Sequence, residues 1–218
     1  MNNTSDTNIL AMDIGGTTIK SGSIDVATSL IKTFSVNKTH IHNGLSSIVE
    51  SIDKAIARHL TSNTVGIAIS SAGDIDAYSG KCVYATDNLP DFSGFDIKAY
   101  VESKYKLPCQ VINDGQGALL GELNFGCAVN LTKVVMLTLG TGVGSAYFDK
   151  ELGFDKSLEL SKIGHYTLVK DGIQCNCGKR GCIEQYISAG ALYKLGGARG
   201  LAITDCNDIF SLSRADNI

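Results

Sequence analysis

Residues 12–25, MDIGGTTIKSGSID, and residues 137–149, LTLGTGVGSAYFD, follow one plan. Each has an apolar run, a turn of glycine and threonine, a second strand-like run and a closing aspartate. One such segment is an ordinary hairpin signal. Two in one chain predict two similar domains, each offering a glycine-rich turn to a shared ligand. In the first turn Gly15 and Gly16 clear side chains from the backbone, and Thr17 and Thr18 add hydroxyls. Successive exposed N–H groups of this kind form a concavity for an anion. Asp13 is placed to hold a divalent cation such as Mg2+, and Lys20 adds positive charge. Taken singly, each turn is equally a plain hairpin turn. Neither is a G-x-x-x-x-G-K-[ST] loop, and GTGVGS falls one residue short of G-x-G-x-x-G and leads into a strand rather than a helix. Together, Gly15–Thr18 and the group Gly140, Thr141 and Gly142 favour phosphate held from two sides.

The surrounding chain fits an α/β protein. Strand patterns precede a helix with Leu45, Ile48, Val49, Ile52, Ala55, Ile56 and Leu60 at helical spacing. TVGIAIS reads as a strand buried between helices. A loop region then runs to TDNLPDF, followed by a helix over Ile97–Tyr105, the strand CQVIND and a helix over GQGALLGELNFG. The 218 residues, 44% hydrophobic with a mean hydropathy of +0.09, suffice for real cores. A net charge of −3 without a Lys/Arg run argues against a nucleic-acid partner. The apolar runs are too short to span a bilayer, so no membrane partner is expected. The polar start MNNTSDTN lacks an export signal, which predicts a cytoplasmic protein with reduced cysteines. Cys82, Cys109, Cys127 and Cys206, scattered singly, are expected to be buried as small hydrophobes.

Two further groups carry chemistry. Asp114 closes a strand and opens a helix; read from the residues alone it is first an N-cap, and second a base for a substrate hydroxyl. His165, Cys175, Cys177 and Cys182 supply four N/S ligands, a complete tetrahedral set for a structural zinc ion. A disulfide is disfavoured by the compartment, and an iron–sulfur cluster would be expected to use four cysteines.

DIGGTTIK, LGTGVGS, TDNLPDF, VINDGQGALLGE and IGHYTLVKDGIQCNCGKRGCIEQYIS occur in this order. The chain thereby resembles the ROK family of bacterial sugar kinases and sugar-responsive repressors, within the ASKHA superfamily of hexokinase and actin relatives. The likeness runs over essentially the whole chain. It implies two ribonuclease-H-like α/β domains around a cleft for sugar and ATP, here expected over residues 1–115 and 116–218. It implies ATP-dependent phosphorylation of a hexose, as in glucokinase-like members at the 6-hydroxyl, with Asp114 as general base. Asn88, Asn113, His165 and Glu184 inherit contacts to the sugar, and the cysteine loop with its upstream Gly-His inherits zinc. The partners implied are a small-molecule sugar, ATP with Mg2+, and a second copy in a homodimer. Without the resemblance, Asn88 reads as a turn residue and Glu184 as a solvated residue in the first turn of a helix.

The chain departs from the family in three places. The usual N-D-A-N-A-A is N-D-G-Q-G-A, and Gly115, Gln116 and Gly117 are expected to loosen the helix start. The usual glutamate of E-[IL]-G-H is Lys162, a cation with no acceptor capacity. The chain also stops earlier than its relatives, which predicts a second domain that is C-terminally incomplete. These departures keep a catalytically weakened or vestigial sugar-binding fragment as the alternative. A repressor is disfavoured because the first phosphate motif begins at Asp13, leaving no room before it for a DNA-binding helix-turn-helix.

Overall fold

The computed structural model describes residues 7–86, 88–140, 142–153, 163–201, 203, 208 and 211. The chain divides into two compact units, Met1–Gly117 and Ala118–Ile218. In the first, β1 (Asn8–Ile14), β2 (Thr18–Asp25) and β3 (Ile31–Lys38) form an antiparallel meander. Helix α1 (Leu45–His59) carries the chain across to β4 (Thr64–Ser71), which lies parallel to β1. β5 (Asp74–Asp76) and β6 (Lys81–Tyr84) make a separate small hairpin; α2 (Ile97–Tyr105) leads to β7 (Cys109–Asn113), parallel to β4, and α3 (Asp114–Phe125) follows. The resulting order, β3-β2-β1-β4-β7, is that of a ribonuclease-H-type sheet.

Alternation along the strands decides which sheet face is buried. Leu10, Met12 and Ile14 of β1 share a face with Ile19 of β2, Ile67 and Ile69 of β4, and Cys109 and Val111 of β7. Against it α1 sets Ile48, Ile52, Ala55 and Ile56, and α2 sets Ile97 and Val101, all fully buried. Each such isoleucine contributes about 1.5–3 kcal/mol by leaving water. The reading of TVGIAIS as buried on both faces needs correction: β4 alternates, with Val65 46% exposed. The other face carries Phe34 and Ile31, largely exposed, beside a shallow apolar depression of about 250 Å3.

Two ties secure the helices. His59 at the end of α1 is buried between the Thr33 and Ser35 hydroxyls on β3, each 2.8 Å from a ring nitrogen. Its burial, then Arg58, lowers its pKa, so the ring sits there neutral. Asp53 of α1 accepts hydrogen bonds from Tyr100, Lys104 and Tyr105 of the α2 segment at 2.6–2.9 Å.

In the second unit β8 (Lys133–Leu139) and β9 (Val143–Asp149) form an antiparallel hairpin, the only named strands among its described residues. The shared plan of the two sequence segments extends to their closing aspartates. Asp25 Oδ1 accepts the Ala27 and Thr28 N–H groups and its carboxylate pairs with Lys32; Asp149 Oδ1 accepts the Glu151 N–H and its carboxylate pairs with Lys133. Both are buried strand-ending caps. Beyond β9 come a short helical turn (Ile163–His165), the cysteine loop, a one-turn helix (Glu184–Ile187) and the helix Ala189–Ala198, capped by Ser188. Among the described residues no helix is long and apolar enough to cross a membrane. Cys82 and Cys109 are buried as expected; Cys127 is exposed, against expectation, in the turn after α3, where the Glu122 carboxylate accepts its N–H at 2.8 Å, and Cys206 lies outside the described residues.

Candidate active site and metal centre

The first glycine turn closes with the Gly15 N–H donating to the Thr18 carbonyl at 3.0 Å. Thr39, fully buried just past β3, clamps it: its hydroxyl donates to the Gly15 carbonyl at 2.6 Å, and its N–H to the Thr17 carbonyl at 3.0 Å. The N–H groups of Gly16 and Thr17 donate to no partner among the described residues, as an anion-binding turn requires. Thr39 carries no signal in the sequence. Asn88 lies against this turn, since a Cβ on Gly16 would meet the Asn88 carbonyl at 2.7 Å.

Asp13, the last residue but one of β1, lies beside the turn, with its side chain 39% exposed. Its Oδ1 accepts the Ser70 hydroxyl at 2.8 Å from the neighbouring strand, and Lys20 stands 3.5 Å from Oδ2. One carboxylate face is thus oriented by a neutral donor and the other paired only loosely, a donor set that fits a hydrated Mg2+.

At the junction of β7 and α3 the capping role falls to Asn113. Its Oδ1 accepts the N–H groups of Gly115 at 2.9 Å and Gln116 at 3.4 Å, and Gln116 Oε1 accepts the Asn113 N–H at 3.2 Å. This is a reciprocal capping box. The expected loosening at Gln116 is therefore corrected: the residue closes the cap. Gly117 permits α3 to lie close on β4, where a Cβ would meet Ser70 Cβ at 3.0 Å. Asn113 also donates from Nδ2 to the Gly73 carbonyl at 2.8 Å, so most of its amide is committed to the fold. Asp114, relieved of capping, accepts the Gly115 N–H at Oδ1 at 2.8 Å. Burial pushes its carboxyl above the ordinary range; the Gly115 N–H opposes this and the Asp13 charge reinforces it.

In the second unit Gly140 N–H donates to the Gly142 carbonyl at 3.0 Å, while Thr141 lies outside the described residues, as does Lys162. Glu184 meets this turn directly: its Oε2 accepts the Val143 N–H at 3.0 Å and lies against Gly142.

The ligand atoms of His165, Cys175, Cys177 and Cys182 all lie within 4.8 Å of one another. His165 Nδ1 is 3.7 Å from Cys175 Sγ, and the Cys177 and Cys182 sulfurs are 3.6 Å apart, close to the edges of a zinc tetrahedron with bonds of about 2.0–2.3 Å. Gly178 and Gly181 make the reversals at φ of 89° and 75°, which other residues adopt only under strain. Burial pushes the Cys182 thiol up to about 12, with Cys177 and Cys175 adding to it. Thiolates held this close together repel one another unless a cation lies between them, and Gln185 Nε2 donates to Cys175 Sγ at 3.6 Å as an outer partner. The residues fit zinc.

The family model described as the ROK family matches residues 9–218. The chain is 32% identical over 187 residues to a glucokinase of Streptomyces coelicolor, covering 85% of this chain and 57% of that protein. It is 31% identical over 131 residues to a xylose repressor of Bacillus subtilis, covering 60% of this chain and 33% of that one. Among solved structures, a ROK family glucokinase from Streptomyces griseus in complex with glucose and AMPPNP matches with a TM-score of 0.73 at 30% identity, over 88% of this chain and 61% of that chain. The chain spans little more than half the length of the glucokinase and a third of that of the repressor. With the motifs in order and the family match running from β1 to the last residue, this chain belongs to the ROK family.

Proposed function

We propose that the chain acts in ATP-dependent phosphorylation of a hexose, glucokinase-like and directed to the 6-hydroxyl. The observation that carries this reading is Asp114: a solvent-accessible carboxylate at the start of α3, released from capping by the Asn113–Gln116 pair and with its pKa raised, in the same unit as an anion-binding turn and Asp13. Similarity to a glucokinase supports the substrate class.

Phosphoryl transfer asks the protein mainly for positioning and charge neutralisation. In this reading the sugar hydroxyl oxygen attacks the γ-phosphorus while the bond to the β,γ-bridging oxygen breaks. Asp114 takes the hydroxyl proton and ADP leaves. A base whose pKa lies above the ordinary carboxylate value receives that proton more readily. Gly15–Thr18 and the turn at Gly140, Thr141 and Gly142 grip the phosphates, with Lys20 adding charge. Asp13 would hold Mg2+, which neutralises phosphate charge when bound. Asn88, Asn113, His165 and Glu184 are the candidate sugar contacts. His165 would ligate zinc through Nδ1, leaving Nε2 for a sugar hydroxyl, with Cys175, Cys177 and Cys182 completing the set.

ADP release by the purified chain, measured against a panel of hexoses and amino-hexoses, tests the proposal. Release that depends on one sugar is expected. Sugar binding by calorimetry without any ADP release would instead identify a sugar-binding member that does not transfer phosphate.

A further inference from the structure

The two peptide arms that deliver the Cys/His ligands both end on the second glycine turn. Gly164, the residue before His165, is buried so tightly on β9 that a Cβ would run into the Val143 carbonyl. Ile163, one residue earlier, donates its N–H to Ser145 Oγ at 2.9 Å. On the other arm, Glu184 stands two residues beyond Cys182 and receives the Val143 N–H at 3.0 Å, with its carboxylate against Gly142. The helix that follows donates the Ala189 N–H to the Gly140 carbonyl at 2.9 Å. The arms are tied to each other by the Ile183 N–H on the Tyr166 carbonyl at 2.9 Å and by a bridge between Thr167 and Cys182.

We infer that the metal cluster is the brace of the Gly140–Val143 turn: an ion joining His165 to Cys182 locks both arms, and through them fixes the turn's backbone. The inference rests on the reading that these four residues hold zinc and that the turn holds phosphate. It assigns Glu184 a positioning role toward the phosphate turn that is separate from any sugar contact. A carboxylate fixed to a backbone N–H restrains that peptide strongly, since hydrogen bonds to charged groups exceed neutral ones. When the ion is removed, the arms keep the backbone hydrogen bonds that tie them but lose the link from His165 to Cys182, and order in the turn falls with it. Loss of zinc then weakens nucleotide binding as well as sugar binding.

Hydrogen–deuterium exchange of the full chain, read on peptides covering 139–146, tests this with and without Zn2+. Chelation is expected to speed exchange there at least tenfold, alongside the ligand loop itself. Glu184→Ala, with zinc still at one ion per chain, is expected to speed it too, and Glu184→Gln, whose amide oxygen accepts the same N–H, to restore protection. Should chelation deprotect the entire second unit, Glu184→Ala alone decides. Unchanged exchange over 139–146 in Glu184→Ala, or a chain that binds no zinc, overturns the inference. Nucleotide binding by calorimetry separates it from the kinase reading: protection by zinc without nucleotide binding keeps the brace and removes the kinase, and nucleotide binding with exchange indifferent to zinc and to Glu184 does the reverse.

Discussion

For Asp114, the proposed role as base sets function against stability. Its folded pKa is raised, chiefly by burial. A group held above its unfolded value contributes stability that is full below the unfolded pKa, about 3.9, and is lost as pH rises through the folded value. At neutral pH the ionised side chain therefore costs stability, and Asp114→Asn removes that cost while keeping an oxygen for the Gly115 N–H. The variant is expected to unfold at a higher temperature than the wild type at pH 7, with the difference vanishing near pH 4. Calorimetric midpoints at the two pH values check this; a lower midpoint at pH 7 would mean the carboxylate is structural. The candidate residues Asp114, Asp13, His165, Cys175, Cys177 and Cys182 could be singled out in the sequence because the chemistry proposed for them restricts their types, and the last four do come together in the fold. Thr39 was not, because a threonine beyond a strand looks like any other until its hydroxyl is found on the Gly15 carbonyl.

The start of α3 is the element that positions the proposed base, Asp114. Sequence reasoning put two glycines there and expected a loose helix, whereas the Asn113–Gln116 box supplies what propensity withholds. Gln116→Ala leaves the Asn113 N–H without its acceptor and is expected to cost about 1 kcal/mol by urea denaturation. It should lower turnover more than sugar affinity, because the peptide carrying Asp114 is no longer fixed. Gln116→Glu keeps the acceptor and should recover stability, while its added charge moves the acid limb of the pH–rate profile upward. An unaltered midpoint in Gln116→Ala would show that the box carries no load. Elsewhere, legibility followed length and periodicity. The fifteen residues of α1 repeat their apolar face often enough to be read directly, whereas β5 and β6, with three and four residues, disappear into a polar loop. β4 was read as doubly buried because its composition is apolar; its exposed Val65 and Ala68 are found only once the register is known.

At the scale of the molecule, the two hairpins with their glycine turns and capped aspartates made the ribonuclease-H plan of the first unit and the family legible together. In the second unit, the metal is expected to dominate stability. An ion present at a thousand times its Kd stabilises by about 4 kcal/mol, and in a unit of this size that shifts the melting temperature by ten degrees or more, to order of magnitude. Chelation should therefore lower one thermal transition by about that amount, and His165→Ala should abolish the zinc dependence; a transition indifferent to zinc would contradict a structural ion. The central claim, a base at Asp114 serving phosphoryl transfer to a hexose, is tested most directly by a single-turnover measurement. ATP labelled at the γ-phosphorus is mixed with excess wild-type or Asp114→Asn protein and the hexose, and labelled sugar phosphate is counted. Label should pass to the sugar with the wild type and fall by at least about two orders of magnitude in Asp114→Asn, the span of general-base catalysis, while calorimetry shows the sugar still bound. Equal transfer by both proteins, or sugar bound by the wild type with no label transferred, would contradict it.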